Sequence, residues 1–172
     1  MDEGSKLLMA TGNTLLVFAA QDNEPPSSAF ATLDTLNLHP VLDFDKDTDE
    51  SAVFTGILPR SYAGGGITVY IHYAADGLTT GDVVWNSAFE RIGDGQLDID
   101  GDSFATANAA TVTVPGTEGH VDIASIAHTD GAEIDSIAVG ELFRLKITRD
   151  ANAGGDTADD DVQLLQVELK ET

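Results

Sequence analysis

The sequence predicts an all-β protein: a jelly-roll-like, two-sheet antiparallel sandwich with an N-terminal extended arm. Three observations predict it. Short runs rich in β-branched and aromatic residues recur along the chain, separated by turn-forming segments. Within those runs apolar side chains alternate with polar ones, the period of a half-buried strand. Helical periodicity is scarce, with single short turns expected near residues 98–110 and 134–139, and no repeat of fixed period is present.

Residues 1–28 read as an N-terminal arm, or a first strand, followed by a proline-rich connector. The apolar run at 15–20 leads into QDNEPPSS, where Pro25-Pro26 forbids regular pairing. Residues 29–172 form the sandwich. Within it, 41–44 is a short apolar strand, 45–50 an acidic loop and 51–58 another strand. Pro59 and the triplet Gly64-Gly65-Gly66 bracket a loop that needs positive φ or close backbone approach.

In 67–73, Ile67, Val69, Ile71 and Tyr73 share one face, with Thr68, Tyr70 and His72 on the other. In 83–92, Val83, Trp85, Ser87 and Phe89 oppose Asn86, Ala88 and Glu90. With only ADGLTTG between them, these two runs read as antiparallel strands joined by a tight connection. Trp85, the sole tryptophan, is expected to anchor the core. Later strands are expected at 110–114, 121–127, 141–149 and 162–169. Phe143, Leu145 and Ile147 there alternate with Arg144, Lys146 and Thr148.

The chain has 172 residues, enough for one domain to bury a sizeable core without a covalent staple. It has no cysteine, which removes disulfides, thiol chemistry and cysteine zinc sites together. Thirty acidic residues face eight basic ones, for a formal charge of −22. Such a surface repels phosphate backbones, so no direct nucleic-acid partner is expected. No membrane partner is expected either, because LLMA and TLLVFAA are too short to span a bilayer. The acidic start, MDEGSK, does not resemble a secretory signal.

Motif tests return little chemistry. An EF-hand loop needs glycine at its sixth position and glutamate at its twelfth. Counting from Asp45 gives Glu50 and Gly56; counting from Asp98 gives Ser103 and Ala109. The acidic clusters are therefore read as solvated turns. His39, His72, His120 and His128 lie far apart and form no HExxH motif. No G-x-S-x-G elbow is present, and the glycine triplet is followed by a strand rather than by a phosphate-binding helix. No catalytic residue, cofactor-binding residue or metal ligand is assigned, no cofactor is expected, and the protein is not expected to be an enzyme.

The blocks ATLDTLNLHPVLDFD, FTGILPRSYAGGGITVYIHYAA, GDVVWNSAFERI, DIDGDSFA, HTDGAEIDSIAVGELFRLKITRDA and DDVQLLQVELKET carry a resemblance. Over residues 29–172 the chain resembles a family of small β-sandwich virion structural proteins of tailed bacteriophages. The resemblance implies a capsid cement (decoration) protein on the outer surface of the phage head. Its implied partner is the major capsid protein, whose subunit contacts it would stabilise, and its implied state is a homotrimer. The alternative is a tail-associated receptor-binding or fibre-head protein that recognises the host surface. The first residues, to about Pro26, would reach the shell or a neighbour, and their deletion is expected to leave the domain folded.

Overall fold

A computed structural model describes residues 12–95 and 98–172. Residues 1–11 of the expected arm lie outside the described residues. Ten strands among those described make two facing sheets. They are β1 (Thr14–Ala19), β2 (Thr32–Leu36), β3 (His39–Phe44), β4 (Glu50–Ile57), β5 (Ile67–Ala74), β6 (Asp82–Ile92), β7 (Asn108–Thr113), β8 (Val121–His128), β9 (Leu142–Arg149) and β10 (Val162–Glu171). The first sheet runs β2-β3-β10-β5-β8, with β1 also paired to β10; the second runs β4-β9-β6-β7. Every strand-to-strand ladder is antiparallel, so the structure is an antiparallel sandwich.

One strand organises the first sheet. The start of β10 pairs with β3 (Val162 opposite Phe44), and its later residues pair on the same side with β1 (Phe18 opposite Val167). Its other side pairs with β5 along nearly its whole length. Residues 14–19 are thus a strand of the sandwich, with Phe18 stacked on Phe54 at 5.4 Å.

The connector has a task of its own. Glu24 N–H donates to the Val53 carbonyl (2.7 Å), and Val53 N–H donates to Asn23 Oδ1 (2.9 Å). Ala31 and Ala29 exchange backbone bonds with Ser51 in the same way. These bonds cover the outer edge of β4, which would otherwise present unpaired amides and carbonyls. The earlier expectation about deletion is corrected accordingly. Removing the stretch up to Pro26 takes away β1 and uncovers the edge of β4, so that deletion is expected to destabilise the domain.

A second correction concerns β5 and β6. They do not pair: β5 lies between β10 and β8 in the first sheet, whereas β6 lies between β9 and β7 in the second. The connecting segment crosses from sheet to sheet because both strands carry an inward apolar face with nowhere else to go. Val69, Ile71 and Tyr73 from one and Val83, Trp85 and Phe89 from the other are all fully buried. Trp85 meets the ring edges of Phe44 (5.1 Å, 83°) and Tyr73 (5.6 Å, 62°), and its burial matches the expected anchor. Gly56 leaves room where aromatic rings crowd: a Cβ there would stand 2.9 Å from Phe143 and 3.0 Å from Phe18.

Arg149 closes one end of the core. It is fully buried, and its guanidinium donates to the Asp156 carboxylate (2.9 Å and 3.2 Å). It also donates to the carbonyls of Ala158 (2.9 Å), Asp160 (2.9 Å) and Phe44 (3.3 Å). Such a pair is tolerated inside a protein only with its remaining donors satisfied, and here they are. At the other end the glycine triplet behaves as its composition requires. Gly64 and Gly66 have φ of 91° and 97°, and a Cβ on Gly66 would fall 2.6 Å from the His128 carbonyl.

The β2–β3 hairpin was not anticipated. Leu36 pairs with His39, leaving a two-residue turn of Asn37 and Leu38 with φ of 47° and 69°. Positive φ at both central positions is the hairpin-turn pattern that normally calls for Asn-Gly. A leucine in the second position costs on the order of 1–2 kcal/mol in local conformation.

Candidate functional site

Side-chain alternation assigns each sheet an outer face, and the two faces differ. On the second sheet, loops and ion pairs cover it. Glu90 is almost fully buried beneath Arg144, whose Nε donates to its carboxylate. The half-buried Phe104 brings its ring against Lys146 Nζ (4.6 Å) and the Arg144 guanidinium (5.3 Å). Ala105 N–H donates to the Phe89 carbonyl (2.8 Å), which fastens this loop to β6.

On the first sheet the outer face stays open. Thr68, Tyr70 and His72 of β5 stand beside Ala127, Ser125 and Ile123 of β8, in that register. The register of β10 shifts between Leu164 and Gln166, and Leu165 occupies that bulge, half-buried. Two adjoining depressions share Leu165, Val121 and His39. The larger, about 490 Å³, lies between Asn37 of the hairpin and Asp76 with Gly119 on the opposite loops. The smaller, about 330 Å³, continues toward His72, Gln166 and Ala19. Val121, which lines both, is 53% exposed, and Ile123, paired with His72, is 49% exposed. This face is the candidate binding site: a shallow groove with an apolar floor, two imidazoles and a carboxylate at one end.

The structure places the four histidines in three settings. His39 and His72 line the same depression, whereas His120 is exposed on a turn. His128 is buried, and its Nε2 meets Ser87 Oγ at 2.7 Å. Its Nδ1 lies 3.2 Å from the Glu133 carbonyl, which can only accept, so the proton sits on Nδ1 and Ser87 donates to Nε2. Burial, partly offset by the Glu133 carbonyl and charge, holds this imidazole below its usual pKa. Sequence reading missed the pair because Ser87 and His128 lie on strands of different sheets. Ser87 and His128 are 1% and 2% exposed and the Phe89 ring stands edge-on to the imidazole at 5.0 Å, so no substrate has an approach. The pair is a polar stitch across the core.

The acidic clusters act as turn acceptors. Asp45 accepts from Asp47 N–H (2.7 Å), Glu50 from Asp45 N–H (2.9 Å) and Asp161 from Lys46 N–H (2.9 Å). Desolvation, and the neighbouring acids after it, raise the pKa of Glu50, against the lowering effect of the Asp45 amide. Among the described residues no three acidic or histidine side chains converge as a metal cage. Among them, too, no helix is long and apolar enough to cross a membrane.

No family model and no curated protein sequence matches the chain. Several solved structures are similar in outline. The CBM22-2 xylan-binding domain of Paenibacillus barcinonensis Xyn10C is 12% identical with a TM-score of 0.45, covering 95% of this chain and 93% of that one. The carbohydrate-binding module CBM6cm-2 of Cellvibrio mixtus lichenase 5A is 14% identical with a TM-score of 0.42, covering 93% of this chain and 99% of that one. An isomalto-dextranase of Arthrobacter globiformis T6 is 16% identical with a TM-score of 0.46, and the match covers 89% of this chain but only 22% of the dextranase. The fold assignment rests on the strand order and register above.

Proposed function

We propose that this protein is a non-catalytic capsid cement subunit of a tailed bacteriophage, seated on the outside of the head and bridging major capsid subunits. The observation that carries the reading is the open outer face of the first sheet. A charge of −22 keeps most of the surface wet and repels packaged DNA, which suits an exterior position. Yet Val121 in the Leu165 groove and Ile123, paired with the groove residue His72, remain half-exposed on this face. Exposed apolar side chains gathered on one face of an acidic protein favour a protein contact. The resemblance read in the sequence is what points to the major capsid protein as that partner. Mixing the purified protein with heads stripped of it, then sedimenting, tests the reading: the protein should pellet saturably, and its continued presence in the supernatant would refute it.

A second reading has its own observation. Asn37 and Asp76 line the larger depression, His72 the smaller and His39 both, which spreads donors and acceptors suited to hydroxyl-rich ligands along the groove. This favours the tail-associated receptor-binding head. Copy number separates the two: cement occurs at hundreds of copies per virion and a tail tip at a few, by order of magnitude from shell and tail symmetry.

A further inference from the structure

The first sheet ends on β2, and the chain itself uses only half of that edge. Asn37 and Leu38 form a two-residue turn with φ of 47° and 69°, so Leu36 and His39 are a hydrogen-bonded pair. Bonded pairs alternate along an antiparallel ladder, which puts Asp34 with Val41 and Thr32 with Asp43 in the same class. Leu33 and Thr35 therefore turn their N–H and C=O groups away from β3. Ala31 fits this phase, because its N–H donates to the Ser51 carbonyl of β4 (3.1 Å) on that outer side. After this single bridge the two strands part, and Val53 of β4 takes Asn23 as its partner instead. Among the described residues no strand lies beside the outer edge at Leu33.

An apolar pocket of about 200 Å³ opens where the strands part. Phe30 and Leu33 line it, 44% and 58% exposed, with Ala31, Leu42 and Pro25. Leu33 is paired with the fully buried Leu42, so the pocket lies on the inner side of β2. An emptied leucine site encloses roughly 150 Å³, and one aliphatic side chain fits here. The outer side is acidic. The exposed Asp34 spends one carboxylate oxygen on the Thr35 N–H (2.7 Å), which closes that donor to any other strand. Asp43 lies near it on β3. Desolvation raises the Asp43 pKa, against the Gln163 amide, and Asp161, Asp34 and Asp160 raise it further. Among the described residues no lysine or arginine pairs with Asp34 or Asp43.

We propose that the free half of the β2 edge accepts an extended segment of another protein by strand addition. The segment carries an aliphatic side chain for the Phe30–Leu33 pocket, with lysine or arginine on either side of it. Strand geometry supplies this pattern. Main-chain bonds to the Leu33 N–H and C=O hold the segment, and its residue opposite Leu33 shares the inner face. The residues before and after that one face outward, opposite Thr32 and Asp34, beside the carboxylates. A second copy of this chain is a poor occupant, because pairing β2 with β2 would bring two sets of these carboxylates together. With the Thr35 N–H capped, fewer main-chain bonds are on offer, and charge decides which strand docks. This contact uses an edge rather than the open face, and it does not depend on what that face binds.

A synthetic peptide, acetyl-Thr-Lys-Val-Lys-Val-Lys-Thr amide, tests the contact when titrated into the isotope-labelled protein at physiological salt. The Leu33 amide resonance should move and its hydrogen exchange should slow. Replacing the lysines by glutamates should abolish both effects. General attraction of a basic peptide to a −22 protein is separated by N-methylating the central Val-Lys-Val, which keeps the charge and removes strand pairing. That peptide should leave the Leu33 amide unchanged. Asp34→Asn keeps an acceptor for the Thr35 N–H, so the fold should hold while affinity falls about two- to fivefold. Leu33→Pro removes the outward N–H at an edge position where proline is tolerated, and should remove binding. A silent Leu33 amide with the lysine peptide would overturn the contact. Equal binding of the glutamate or N-methylated peptide, or undiminished binding by Leu33→Pro, would do the same. Leu33 protection that grows with protein concentration in the absence of peptide would put a second copy on the edge and equally overturn it. Head co-sedimentation is read separately. Head binding by a protein whose edge ignores the peptide would sink the edge contact and leave the cement reading standing; the opposite pair of results would do the reverse.

Discussion

The two outer faces of the sandwich are built from the same alternating pattern and end differently. On the second sheet, Arg144 and Lys146 point outward and are taken up by Glu90 and Phe104, so the face is finished within the chain. On the first, the equivalent outward positions of β5 and β8 carry Tyr70, His72 and Ile123; Lys170 Nζ stands 5.9 Å from the Tyr70 ring, and Ile123 remains half-exposed among the described residues. Polar alternation on a strand says which residues face away from the core. It does not say whether that outer face belongs to the chain's own loops or to another molecule. Under the proposed function the covered face is scaffold and the open face is interface, and the difference can be measured.

The largest effect is expected where the covered face is broken. Arg144→Ala leaves the Glu90 carboxylate buried without its cation and should lower stability by about 3 kcal/mol in urea unfolding. A loss well below 1 kcal/mol would mean that this face is not held by the pair. Phe104→Ala removes two ring–cation contacts from the same cover and should cost about 1–2 kcal/mol. Neither change should alter head binding.

Next in size comes the stitch between the sheets. Because burial depresses the His128 pKa below 6.5, the unfolded chain takes up its proton first. The contribution of this group is complete above that value and declines as pH falls through it. Melting temperature should therefore drop between pH 7 and 5.5, and His128→Gln should flatten that slope. An unchanged slope would show that other groups set it.

The smallest stability effect belongs to the open face. Ile123→Asp, at a half-exposed position, should shift stability by no more than about 0.5 kcal/mol. Its effect on binding should be large, because it places a charge in the apolar contact. Loss of stability comparable to Arg144→Ala would erase the distinction between the faces.

Much of the fold was legible because β9 and β5 alternate cleanly: Phe143, Leu145 and Ile147 are buried as their spacing demanded. Partner choice was less legible. The proximity of β5 and β6 in sequence suggested a hairpin, whereas burial of both strands' apolar faces put them in opposite sheets. The β2–β3 hairpin escaped notice because its turn is Asn37-Leu38 and lacks the glycine that usually marks such a turn. The candidate binding face was illegible for a related reason. Leu165 reads as one more residue in an apolar strand, and only the bulge in β10 sets it in the groove floor between His39 and His72. The Ser87–His128 contact likewise depends on which strands face each other across the core.

The most direct measurement is co-sedimentation of the wild-type protein and Ile123→Asp with purified phage heads, with bound copies counted against the major capsid protein. Wild type is predicted to saturate at hundreds of copies per head, by order of magnitude from shell symmetry, while the folded variant stays in the supernatant. Equal binding of both, or no binding of the wild type, would contradict the assignment of the first sheet's open face as the capsid-contacting surface.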